Sequence, residues 1–408
     1  MTAMVAAQLR IAPAPWIAYE PRPRAPPVAE ELGFVMKIGI PREQQAGEHR
    51  VAASPETVKK LAAAGIDIVV EHGAGVEAAI SDDAFRKAGA VLEDTATTWD
   101  SELLLKVQRP TDEEMERLKE GQMLIGALDP YPHHEQVKAY ADKGVIAFAM
   151  ELLPRTTRAQ AMDILSSQAN LAGYKLVVDA IAAYSRCMPM MMTAAGTVTP
   201  AKFFVVGAGV AGLQAIATAK RMGAVVTATD VRPAARQEIE SLAAKFVGFI
   251  PEDGATAGGY ARPLTPEEQK QQAEMVAEHL KTQDIVVTTA QIPGRKAPRI
   301  ITAEMIQSMK PGAVVMDLAA ESGGNVDGSE PGETVFTEGG VTIIGAKNLP
   351  SKLAPASSLL YAKNLMNFVM LLVDKEAKAF KINEEDDLVK GTLITKDGKV
   401  VHPSLQNI

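Results

Sequence analysis

The stretch Lys202-Phe203-Phe204-Val205-Val206-Gly207-Ala208-Gly209-Val210-Ala211-Gly212 is an apolar strand pattern running into three glycines spaced G-x-G-x-x-G, and residues 213–222 after it read as a helix. That context turns a common glycine spacing into a specific one. Gly207 permits the tight turn, Gly209 lets a ligand approach the backbone, and Gly212 allows close helix–strand packing, with the helix N-terminus facing a phosphate. The next strand pattern, 225–229, ends on Asp230, 23 residues after Gly207. A carboxylate there accepts hydrogen bonds from an adenosine ribose and repels a 2′-phosphate, so the unit is read as a Rossmann site for NAD(H) in preference to NADP(H). Arg232 pulls the other way, because an arginine near this position is how NADP-binding forms hold the extra phosphate. Asp230, with Val231 and Arg232 behind it, occupies the nearer position.

Two further loops should face the same crevice. Thr288-Thr289-Ala290-Gln291-Ile292-Pro293-Gly294 follows a strand pattern, which places Thr289 and Gln291 beside the adenosine pocket. Residues 255–261, Ala-Thr-Ala-Gly-Gly-Tyr-Ala, have the small-residue composition of a lid in which Gly259 gives freedom and Tyr260 closes over the ligand; an ordinary surface loop has the same composition.

Working outward, strand patterns at 202–206, 225–229, 284–288, 313–318 and 341–344 alternate with helical ones, and a similar series runs through 37–40, 66–70, 103–107, 123–127 and 145–149. The fold expected is therefore α/β, with two doubly wound parallel-sheet (Rossmann-like) domains joined by long helices. Residues 36–164 plus 356–408 should form the first, discontinuous domain and 165–355 the NAD-binding one. Helical periodicity over 159–183 and 356–373 supplies the two crossings. Ser54-Pro55 and Thr111 to Glu114 are helix-start signals, and Lys396-Asp397-Gly398 is a hairpin turn. Residues 1–35, with six prolines and no serine, read as a disordered extension.

Composition narrows the function classes. With 408 residues and 47% apolar content the chain can build two cores. A net charge of −8 without a Lys/Arg block gives nucleic acid no footprint, and a single cysteine, Cys187, offers no disulfide framework or thiolate metal site, so no metal is expected. No apolar run has the length of a membrane span.

The segment 151–163 follows the last strand of the first series and leads into the first crossing. Gln160, Asp163 and Ser166 have i, i+3, i+6 spacing, so one helix face would carry all three, with Arg155 at its start. A solvated helix face with a local Arg–Asp pair is the plain alternative.

Together with Ile40-Pro41-Arg42-Glu43, Arg50-Val51-Ala52, Ile164-Leu165-Ser166-Ser167-Gln168, Met190-Met191-Met192-Thr193-Ala194-Ala195-Gly196-Thr197 and Ala257-Gly258-Gly259-Tyr260, these segments make the chain from Met36 onward resemble the soluble NAD(H)-binding component, domain I, of proton-translocating NAD(P) transhydrogenase. The resemblance implies that Arg155, Thr156, Thr157, Arg158, Gln160, Asp163 and Ser166 surround the nicotinamide. Gln160 would also reach an opposing nucleotide. It implies that the glycine turn of Gly207, Gly209 and Gly212, together with Val210, Asp230, Val231 and Arg232, takes the pyrophosphate and adenosine, and that Tyr260 belongs to a mobile loop. The activity implied is hydride transfer from NADH to NADP⁺ on a partner NADP-binding subunit, coupled to proton flow through a membrane-spanning subunit. A homodimer, peripheral on the cytoplasmic face of the inner membrane, is implied as well.

Alanine dehydrogenase shares the architecture, and Arg50, Lys106 and the Ser322-Gly323-Gly324 loop resemble its substrate site. Its catalytic histidine, however, falls near Leu124, where no histidine exists, and its catalytic aspartate is Glu321 here. His133 and His134 read as a solvated helix start. Without a general base, amino-acid oxidation lacks its proton acceptor. A non-catalytic NAD-sensing module is the third class, and the polar set between Arg155 and Ser166 argues against it, since a sensor needs no groups that hold the reacting ring.

Overall fold

A computed structural model describes residues 36–249, 265–291 and 294–406. The 1–35 extension, the 255–261 loop with Gly259 and Tyr260, and Ile292 and Pro293 lie outside the described residues. The first sheet has eight strands in the spatial order Lys399–Val400, Leu393–Lys396, Ile146–Ala149, Met123–Ala127, Leu103–Gln108, Lys37–Ile40, Asp67–Glu71 and Val91–Glu93. The six strands from Ile146–Ala149 to Val91–Glu93 are parallel, and the C-terminal hairpin adds two antiparallel ones at the edge. Its turn holds Asp397 and Gly398 at φ 51° and 72°, the left-handed pair that a tight Asp-Gly hairpin requires.

The second sheet runs Lys245–Phe246, Val225–Thr229, Lys202–Val206, Ile285–Thr288, Val314–Asp317, Thr342–Gly345, with Thr334–Phe336 antiparallel at the far edge. Its six parallel strands, numbered along the chain, therefore lie in the order 3-2-1-4-5-6, the doubly wound arrangement whose direction reverses between the first and fourth. The central strands are buried on both faces, which is why Phe203 to Val206 and Ile285 to Val287 read as continuous apolar runs rather than alternating ones.

The long helix Ile164–Ala183 joins the two cores. Ile164 packs among the apolar residues of the first sheet, while Ala172, Leu176, Val177 and Ala180 pack with those of the second. The helix Ala354–Val369 returns the chain, burying Tyr361, Leu365, Phe368 and Val369 against the first sheet. Ser54 and Thr111 cap their helices as their motifs predict, each in a reciprocal capping box. No helix among the described residues is long and apolar enough to cross a membrane.

One expectation fails. No continuous helix spans 159–183: Thr157–Met162 forms a 3₁₀ run, Asp163 is extended at ψ 96°, and the long helix starts only at Ile164. The cause is Asp163 itself, whose carboxylate takes the cap position and accepts hydrogen bonds from the Ser166 amide (2.9 Å) and hydroxyl (2.6 Å). Gln160, Asp163 and Ser166 are thus the end of one element, a cap, and the first turn of another, not one helix stripe.

Candidate functional site

The strand Lys202–Val206 delivers Gly207 to the carboxyl edge of the second sheet at φ 96°, a left-handed conformation that favours glycine. Behind it, a Cβ placed on Gly212 would lie 1.9 Å from the Gly207 carbonyl oxygen, so the helix Val210–Arg221 can start this close to the turn only with glycine at 212. Gly209 is the N-cap and supplies no side chain to the first-turn amides, and among the described residues nothing lies within 4 Å of a Cβ built on it. Orphan helix amides, a positive helix end and open space above them are the requirements of a phosphate cradle.

Asp230 closes one side of this cradle. Its carboxylate accepts hydrogen bonds from the Ala208 amide (2.7 Å) and the Arg232 amide (2.8 Å). Arg232 folds back onto it, with Nε 3.1 Å from Oδ1, Nη2 2.9 Å from the Ala208 carbonyl and 3.5 Å from Glu238. The guanidinium is therefore shared between two carboxylates and a carbonyl. Val210 and Val231, 42% and 41% exposed, present apolar surface on either side.

The other wall is the strand-end loop at 288–291. The Thr289 amide donates to the Val206 carbonyl (2.8 Å) and its hydroxyl to that of Gly207 (3.0 Å), locking it to the glycine turn. Buried Asn325 grips Ala290 at both its amide and carbonyl, and Asn325 is held in turn by buried Asp317. Gln291 stands exposed, its amide 3.4 Å from the Ser322 hydroxyl.

On the first lobe, Arg155, Thr156, Thr157, Arg158 and Gln160 are all exposed, in the extended and 3₁₀ segment before the long helix. Arg158 pairs with Asp386, the N-cap of the helix Asp387–Thr392, which ties this segment to the C-terminal region. Asp163 and Ser166 are half-buried and bonded to each other as described.

Sequence reading assigned no role to Glu151, which leads into this segment. One carboxylate oxygen accepts from the Asp129 amide; the other is buried with no hydrogen-bond partner among the described residues, and burial pushes the group's pKa up to about 7. Its position two residues past a strand that ends on buried Ala149 was the available signal.

The carboxyl edge of the first sheet is finished differently. Arg50 is buried and held by Glu48, Nε to Oε1 at 2.7 Å and Nη2 to Oε2 at 2.6 Å, and it donates to Gln168 at 2.8 Å. Burial works to raise the Glu48 pKa, but the bonds from Arg50 prevail and lower it to about 2. Lys106, fully buried, lies 2.8 Å from Glu114 and 3.2 Å from Glu43. Glu321 accepts from the Asn348 amide at 2.9 Å, and Asn348 reaches Glu48 at 3.1 Å, so the cluster bridges both lobes. Leu124 is buried within its strand, and His133 stands at the N-cap position of the helix His134–Asp142 without a side-chain cap bond, its Nδ1 turned instead to the Asp129 carbonyl at 2.9 Å.

Comparison with known proteins bears on this geometry. The family described as Alanine dehydrogenase/PNT matches twice, its N-terminal domain over residues 39–172 and its C-terminal domain over 177–403. The chain is 50% identical over 380 residues to the first part of NAD(P) transhydrogenase subunit alpha of Rhodospirillum rubrum, covering 91% of this chain and 99% of that one. The crystal structure of transhydrogenase from Sinorhizobium meliloti superposes with a TM-score of 0.83 at 52% identity, covering 90% of this chain and 100% of that one. Alanine dehydrogenase of Halomonas elongata is 30% identical over 375 residues, 90% of this chain and 95% of the relative.

Proposed function

The chain belongs to the alanine dehydrogenase/PNT family, and we propose that within it the chain is the NAD(H)-binding component of a proton-translocating NAD(P) transhydrogenase. The observation that carries this reading is the uncapped, open helix start at Gly209 beside an Asp230 that already holds Arg232. The first-turn amides after Gly209 would hold the pyrophosphate, Asp230 the ribose hydroxyls, and Val210 and Val231 the adenine faces. Bound NADH supplies the hydride. What the chain adds is placement: Arg155, Gln160 and the Asp163–Ser166 pair orient the ring so that an acceptor on a second nucleotide-binding subunit comes within near-attack distance, about 3–3.5 Å.

NADP(H) is thus assigned to the partner subunit and proton conduction to a membrane-spanning one, with this chain on the cytoplasmic face. A homodimer is proposed too, and the exposed hairpin Met191–Thr193 with Gly196–Val198, whose Met192 is 77% exposed, offers apolar surface suited to it. The amino-acid dehydrogenase reading loses its support where Arg50 and Lys106 are engaged by Glu48, Glu43 and Glu114.

Mixing the purified chain with the NADP-binding subunit and following NADH-dependent reduction of an NADP analogue tests the proposal. Turnover is expected only with both present. Pyruvate- and ammonium-dependent NADH oxidation by the chain alone, with no transhydrogenation in the mixture, would sink it.

A further inference from the structure

Gly173 lies inside the long helix Ile164–Ala183, where glycine is disfavoured because it surrenders the most backbone freedom. Its reason is a close approach: a Cβ built on it would fall 2.2 Å from the carbonyl oxygen of Ala211 and 2.9 Å from the carbonyl carbon. Those are backbone atoms of the first turn of the helix Val210–Arg221, so they can yield only by moving that turn. One turn toward the N-terminus, the Asn170 side chain donates to Gln214 at 3.3 Å, extending the same contact.

The two helices pressed together here begin at the two ends of the proposed dinucleotide site. Ala211 directly follows Gly209 and Val210. At the other end, with a rise of about 1.5 Å per residue, Ser166 stands about 10 Å and Asp163 about 15 Å along the helix axis from Gly173. The helix acts as a rigid spacer between the phosphate cradle and the nicotinamide segment, and Gly173 is where it is seated.

We infer that Gly173 is a positioning residue: it touches no ligand, but it sets the separation between the pyrophosphate turn and the Asp163–Ser166 cap. This rests on the proposed NAD(H) reading of both ends. Restoring ordinary contact around an added methyl group moves the helices apart by about 1 Å, enough to misplace one end of a ligand held at both.

The test compares NADH, which spans both ends, with ADP-ribose, which lacks the nicotinamide, by titration calorimetry on the full chain. The wild-type chain is expected to bind both. Gly173→Ala should weaken NADH about tenfold and leave ADP-ribose within about twofold. Equal weakening of both ligands, the mark of a merely structural role, overturns the inference, as does unchanged NADH affinity. If Gly173→Ala does not fold, Asn170→Ala carries the test: about threefold weaker NADH with unchanged ADP-ribose supports the spacer, and no difference between the ligands overturns it. A wild-type chain that binds neither ligand refutes the NAD(H) reading, and the inference with it; one that binds both, with variants that fail to separate them, refutes the spacer alone.

Discussion

The two sheets share an architecture and treat their carboxyl edges in opposite ways. At the second sheet the helix after Gly209 begins without a side-chain cap, open above Gly209 among the described residues, beside an Asp230 at the mouth of the turn. At the first sheet the cations Arg50 and Lys106 are buried against carboxylates, Arg50 on Glu48 and Lys106 on Glu43 and Glu114. A doubly wound sheet offers a crevice at that edge, but a ligand binds only where donors have been left without partners. The first edge has become the joint between lobes, through Asn348 and Gln168, while at the second the helix start has no side-chain cap.

The sharpest way to break this contrast is to remove Arg50. Arg50→Met leaves Glu48 buried and unpaired and should cost about 3–5 kcal/mol in denaturant unfolding, with NADH affinity of the folded fraction little changed. An unaltered unfolding midpoint would mean that Arg50 is free to take a ligand. Because the pair holds the Glu48 pKa at about 2 against 4.5 in the unfolded chain, its contribution is present above pH about 4.5 and is lost as pH falls toward 2.

Glu151 gives the next largest effect, with the opposite sign. Its folded-state pKa of about 7 lies above the ordinary 4.5, so the stability it supports is fully present below pH 4.5 and is lost as pH rises through 7. The loss reaches up to about 3 kcal/mol. Glu151→Gln should flatten that decline in unfolding curves measured from pH 4.5 to 8; an identical decline in the variant would assign it to other groups.

At the second edge, Asp230→Ala should weaken NADH about tenfold, or about 1.4 kcal/mol, and narrow the preference over NADPH. Equal loss for both nucleotides would count against ribose recognition. The smallest effect belongs to Arg158→Ala, which breaks an exposed pair with Asp386 and should change stability by less than about 0.5 kcal/mol. A larger loss would make the tether between residues 155–160 and the C-terminal region a structural element.

Much of this was legible in the sequence, and unevenly so. The strands Lys37–Ile40, Met123–Ala127, Lys202–Val206 and Val225–Thr229 begin and end where the sequence patterns do, because parallel strands whose central residues are buried carry apolar runs. The edge strands Val91–Glu93, Lys245–Phe246 and Thr334–Phe336 carry too few residues to show a period and form because a neighbour offers a free edge. The spacing of Gln160, Asp163 and Ser166 suggested a helix face and could not reveal that Asp163 would act as a cap. Arg50 and Lys106 were visible as cations. Their neutralisation was not: Lys106 meets Glu43 across the fold, a pairing set by tertiary packing, and Glu48, though only two residues before Arg50, turns onto it within an irregular loop whose geometry no periodicity signals.

On the proposed reading, the second edge holds NAD(H) and turns away a 2′-phosphate. Titrating the chain with NADH and with NADPH, read by nicotinamide fluorescence, tests it most directly. Binding of NADH at least about tenfold tighter than NADPH is expected from the like charge that Asp230 would set against the phosphate; comparable affinities for the two would contradict it.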